Sequence, residues 1–138
     1  MADLLSEPLR LPCGQVLPNR LAKAAMTEGL GDQLNRATAR HVKLYGRWAN
    51  GGLGLILTGN IQIDRRHLER PGNVAIDGPQ SNEQLAALKT WVAAAKAGGA
   101  QLWAQLSHAG RQTPKSVNPT PSAPSAVKLA LPGGQFGD

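Results

Sequence analysis

The sequence predicts an α/β fold built on a parallel sheet, and three observations carry that prediction. Short apolar runs alternate with longer segments of helical period, in the order strand, helix, strand, helix, strand. Each helical segment is stopped by glycines, Gly51-Gly52 in one case and Gly98-Gly99 in the other. Each strand gives way to a polar loop, and parallel α/β sheets bind their ligands outside those C-terminal strand ends. Strands joined through helices in this way run parallel, with right-handed crossovers.

Composition narrows the function classes. The 138 residues suffice for one domain with a real core and are too few for two. The net charge of +6 raises nucleic acid as a partner. The one concentration of cations, however, is Arg36, Arg40, Lys43 and Arg47, which recur at the spacing of a solvated helix face and lack interleaved aromatics. No nucleic-acid partner is expected. Cys13 is the sole cysteine, which leaves no intramolecular disulfide framework and no thiolate metal cluster and suits a reducing compartment. The N-terminus lacks the basic and long apolar regions of a secretory signal. The longest apolar run, residues 53–57, is too short to span a bilayer. These features predict a soluble, cytoplasmic protein with no membrane partner and no metal.

The elements follow in order. Residues 9–17 (LRLPCGQVL) alternate weakly around Pro12 and Gly14 and predict a short hairpin or capping segment. Residues 21–26 (LAKAAM) are Ala-rich, which favours helix, but they sit between a Pro-Asn turn and a glycine loop with too little length for one. They are the expected first strand. Helical spacing then starts at Asn35, the expected N-cap, with Val42, Tyr45 and Ala49 on the core side. Residues 54–58 (GLILT) form a continuous apolar strand of the kind covered on both faces, expected to end at Gly59-Asn60. Residues 64–79 are a charged loop. Ser81 and Gln84 have the spacing of a capping box, and Leu85, Leu88, Val92 and Ala95 are the expected buried stripe of the second helix. The third strand lies within residues 100–112 (AQLWAQLSHAGRQ). Gln101, Trp103 and Gln105 share one of its faces, with Leu102, Ala104 and Leu106 on the face to be buried under helices. Two amides and an indole are unusual where a plain core would carry Val or Ile. A donor-rich Ser-His-Ala-Gly-Arg cluster follows, and residues 113–138, with five of the ten prolines, show no periodicity.

Four segments, NRLAKAAMTE at 19–28, GGLGLILTGN at 51–60, QLSHAGRQ at 105–112 and PSAPSAV at 121–127, resemble in order and spacing the Old Yellow Enzyme family. These are FMN-containing, NAD(P)H-dependent ene reductases on a (β/α)₈ TIM barrel. The resemblance implies that residues 1–138 are the N-terminal part of a single FMN-binding TIM-barrel domain, its first three β/α units and the loop after the third strand. A complete barrel takes about 250 residues. It implies that Ala25, Met26 and Thr27 lie beneath the flavin with the Thr27 hydroxyl near O4. Gly59 ends strand two and offers backbone contact, and Gln105 reaches the pyrimidine edge. His108 and Arg111 fall near the active-site mouth. Where family members often carry an aromatic two residues past the threonine, this chain has Gly29. The family's substrate-holding pair, its proton donor and its phosphate loops would lie beyond residue 138. The implied activity is hydride transfer from NAD(P)H through flavin to the activated C=C bond of an enone-type substrate. Other readings stay open: a non-catalytic fragment or subunit that pairs with the remaining barrel half, a homo-oligomer, or, least favoured, a basic interaction module.

Overall fold

The computed structural model describes residues 3–137. In chain order it contains β1 (Leu9–Arg10), β2 (Val16–Leu17), β3 (Ala22–Lys23), α1 (Ala39–Ala49), β4 (Leu55–Gln62), β5 (Val74–Ala75), α2 (Asn82–Lys96) and β6 (Gln101–Ser107). β1 and β2 make the expected antiparallel hairpin. The main sheet is parallel throughout, with β4 paired to β6 on one side and, on the other, to β3 at its start and to β5 at its end. The two helices pack on one face of this sheet, joined by contacts of Trp91 with His41 and Tyr45 at ring-centroid separations of 4.8 and 5.0 Å. Strands β3, β4 and β6 thus lie in sequence order with both crossover helices on one side. That is the winding of a barrel wall, whereas a doubly wound sheet reverses its order at a switch point.

The core lies between the helices and the sheet. Tyr45 and Ala49 of α1, Ile56 and Ile61 of β4, and Trp91 and Ala95 of α2 are all nearly inaccessible to solvent. α1 starts later than the spacing suggests. Asn35 adopts a left-handed φ of 57° and cannot cap; its amide instead donates to the Asn73 carbonyl at 3.1 Å. Thr38 caps the helix, and His41 closes a reciprocal box by accepting from the Thr38 N–H at 3.1 Å. Arg40, Lys43 and Arg47 line the exposed face as expected, and Arg36 pairs with Asp32 at 2.8 Å.

Four further segments differ from the sequence expectation. The first strand narrows to Ala22–Lys23, and the loop over 64–79 contains a 3₁₀ turn (Arg65–His67) and β5. In α2 Ser81 caps as expected, but Gln84 turns inward and donates to the Ala75 carbonyl at 2.6 Å. The buried stripe is accordingly Gln84, Trp91 and Ala95, while Leu85 and Val92 are 42% and 40% exposed. Ala95 belongs to both stripes and Leu88 is half-buried against the core; the large Trp91 indole decides between them because it has the most apolar surface to bury. On β6, Leu102 and Ala104 face α2, but Leu106 is 65% exposed near the end of what is, among the described residues, an edge strand. Residues 113–137 carry only an isolated bridge between Pro114 and Phe136. No described helix is long and apolar enough to cross a membrane.

Candidate functional site

The second strand does not stop at Gly59-Asn60; β4 runs on to Gln62 through an irregularity. Leu57 stands opposite Trp103, and the next matched pair is Asn60 with Gln105, so three steps on β4 are spanned by two on β6. This is a β-bulge, which inserts one residue and re-aims those after it. It strands two backbone donors, and side chains take both up. The Gln105 N–H donates to Thr58 Oγ1 at 3.0 Å, and the Gly59 N–H donates to the Tyr45 hydroxyl at 3.1 Å. Thr58 Oγ1 in turn donates to the Gly59 carbonyl at 2.8 Å.

Gly59 is needed for a reason internal to the chain. A Cβ there would fall against the Met26 carbonyl and the Glu28 carboxylate, and 2.8 Å from the Thr27 Cα. The missing side chain therefore lets the end of the first strand lie against the bulge. With its N–H and carbonyl both engaged, Gly59 offers a ligand less backbone than its sequence position suggests. Met26 is 54% exposed. Thr27 lies beside Glu69: burial pushes that carboxyl up, yet Arg70, Thr27 and Asn73 together hold it below its usual range.

Behind this tip runs a buried polar network. Tyr45 donates to Glu28, whose carboxylate also faces the Gly59 N–H. Burial first, and then Glu28, push the Tyr45 phenol far above its ordinary pKa. Lys23 is buried and donates to the Ala24 and Leu57 carbonyls at 2.7 and 3.1 Å, with its ammonium 4.3 Å from the Trp48 ring centroid. Burial lowers its pKa, and Glu28 acts in the opposite direction.

The structure brings Met26, Thr27, Gly59 and Gln105 together at one level across three strands. Asn60 joins them on the face turned from the helices, and Gln105 Nε2 donates to Asn60 Oδ1 at 2.6 Å. Neither Asn60 nor Thr58 stands out as a site residue in the sequence, because only the bulge gives them their places. What remains unspent there is a carbonyl oxygen on Gln105 and an NH₂ on Asn60. That donor set fits the edge of a flat heterocycle with alternating N–H and carbonyl groups.

His108 and Arg111 lie past the end of β6. His108 stacks on His67 at 4.5 Å between centroids. Asp64, held well below the usual carboxylate range by Arg66, accepts from the His67 Nδ1–H at 3.0 Å, and His67 Nε2 accepts from the Ser122 N–H at 2.8 Å. The ligand-type atoms of Asp64, His67 and His108 lie within 4.8 Å of one another, but both nitrogens of His67 are already engaged, Nδ1 by Asp64 and Nε2 by Ser122 of the tail. His67 is a tether. Arg111 borders a cavity of about 380 Å³ formed with Pro121, Ala126 and Val127. It stands apart from the Met26–Gln105 line.

Comparison with known proteins agrees with this fold. Residues 5–134 match the NADH:flavin oxidoreductase / NADH oxidase family. An NADH-dependent flavin oxidoreductase of Neonectria sp. (strain DH2) is 36% identical over 97% of this chain and 18% of its own length. One from Hypocrea jecorina (strain QM6a) is 35% identical over 96% of this chain and 39% of its own length. The Old Yellow Enzyme homologue of Zymomonas mobilis superposes with a TM-score of 0.76 at 26% identity, over 97% of this chain and 38% of that one. The chain thus spans 18% to 39% of the length of these three proteins and corresponds to part of a TIM barrel.

Proposed function

The chain belongs to the NADH:flavin oxidoreductase / NADH oxidase family, whose cofactor is FMN with NAD(P)H as co-substrate, and we propose that it forms the flavin-ring end of an ene reductase of Old Yellow Enzyme type. Bound FMN would supply hydride transfer from NAD(P)H to the activated C=C bond of a small enone-type substrate. The carrying observation is the alignment of Met26–Thr27, Asn60 and Gln105 at the C-terminal ends of three parallel strands, where barrels place their sites.

In this reading Ala25, Met26 and Thr27 form the floor under the ring, with the Thr27 hydroxyl at the O4 edge. Gly59 lets that floor approach strand two. Gln105 meets the pyrimidine edge through its side-chain carbonyl, its backbone N–H being satisfied by Thr58 and its Nε2 by Asn60. His108 and Arg111 belong to the mouth, where the tail pinned by His67 limits access. The test is FMN binding by the intact protein that carries this chain. Gln105→Ala should weaken it by about 1–3 kcal/mol, the cost of leaving buried ring groups unpaired. Unchanged FMN affinity in that variant would remove Gln105 from the site.

A second reading is favoured by the exposed Leu85, Val92 and Leu106: the chain is a non-catalytic subunit that pairs with a separate barrel half. Size-exclusion chromatography of the chain with and without the remaining strands separates the two readings.

A further inference from the structure

The bulge in β4 has a consequence for how the open face of the sheet addresses a ligand. In an unbroken ladder Gly59 would stand opposite Gln105, and Asn60 would point to the helix side, since strand side chains alternate. The inserted residue instead puts Asn60 opposite Gln105, on the face of Trp103 and away from α2. There Gln105 Nε2 donates to Asn60 Oδ1 at 2.6 Å, the one side-chain bond that either amide makes among the described residues.

This bond couples the two amides, so that neither turns without the other. A free glutamine amide can rotate to present either its carbonyl or its NH₂. With Nε2 held by Asn60, the carbonyl Oε1 of Gln105 turns outward, and the NH₂ of Asn60 lies beside it. The pair therefore shows an acceptor next to a donor. Building on the flavin reading above, we infer that Asn60 is a positioning and specificity-determining residue: it orients Gln105 so that the pair reads an imide edge, an N–H flanked by a carbonyl, as in the pyrimidine half of an isoalloxazine. A ligand with that nitrogen alkylated loses the donor that Gln105 Oε1 needs and meets an unpaired acceptor instead. Sites built to hydrogen-bond a group reject analogues that lack it.

The test compares FMN with N3-methyl-FMN by fluorescence quenching on the intact protein. The wild type binds FMN at least about tenfold more tightly than the methylated analogue, the equivalent of one well-made hydrogen bond. Asn60→Ala shrinks that preference to about threefold or less, and adding Gln105→Ala changes it no further, because residues acting as one unit are non-additive. Asn60→Asp keeps the acceptor for Gln105 Nε2, so it retains the preference while weakening both ligands. A loosened sheet would weaken both ligands together and leave their ratio intact, so the ratio isolates orientation from structure. Full preference in Asn60→Ala, or effects of the two alanine substitutions that simply add, would overturn the assignment while leaving the flavin reading standing. Failure of the wild type to bind FMN would overturn both.

Discussion

Tyr45 is completely buried, and its hydroxyl joins the Glu28 carboxylate to the Gly59 N–H exposed by the bulge. One oxygen therefore ties α1 to the first strand's end and to the kink in the second. Tyr45→Phe keeps the ring contacts with Trp48 and Trp91 but leaves the Gly59 N–H with only the longer 3.4 Å contact to Glu28. An unsatisfied buried donor costs about 1–3 kcal/mol, so urea unfolding of the variant should show a loss of that size. A midpoint equal to the wild type's would mean that the network is not holding the tip. At this scale the sequence was only partly legible. Gln105 stands out because an amide is unusual on a sheet face, and the glycine at 59 because it follows an apolar strand. Glu28, Tyr45, Thr58 and Asn60 do not, because their roles come from a bulge and a burial pattern that no local spacing encodes.

At the level of elements, the alternation of strand and helix was legible because helix periods and glycine stops are local signals. Boundaries were less so. The start of α1 moved from Asn35 to Thr38 because His41, not an acid or amide, completes the cap. That choice makes α1 sensitive to pH. His41 is buried against Trp91 and accepts from the Thr38 N–H, so it folds neutral; burial lowers its pKa, with Glu28 opposing. A group whose folded pKa is depressed binds fewer protons folded than unfolded. Its contribution is fully present above the unfolded value of 6.5 and is lost as pH falls from there toward the folded value. Thermal melts should therefore show stability dropping below about pH 6.5. His41→Gln keeps an acceptor at the capping-box position and should flatten that drop, even if it lowers stability overall through the lost ring contact. An identical pH profile in the variant would assign the drop to other groups.

For the whole molecule, the sequence order of β3, β4 and β6 and the two helices on one face describe a stretch of barrel wall. The alternation of elements carries that architecture, and the resemblance of four segments to a known family carries the barrel; no property of residues 113–137 could have shown how they pack. Among the exposed apolar residues, Leu106 lies on β6 and Leu85 and Val92 on α2, where a fourth unit would cover them. The opposite face of the same sheet holds Met26, Asn60 and Gln105 at the strand ends, and the flavin reading depends on that position. Hydrogen–deuterium exchange of the intact protein with and without FMN addresses it directly. Slowed exchange on FMN addition should fall on residues 25–28, 58–62 and 105–108, the tips of three adjacent strands. Protection confined to the cavity beside Arg111 or to the basic face of α1, with those three segments unchanged, would contradict the placement of the flavin.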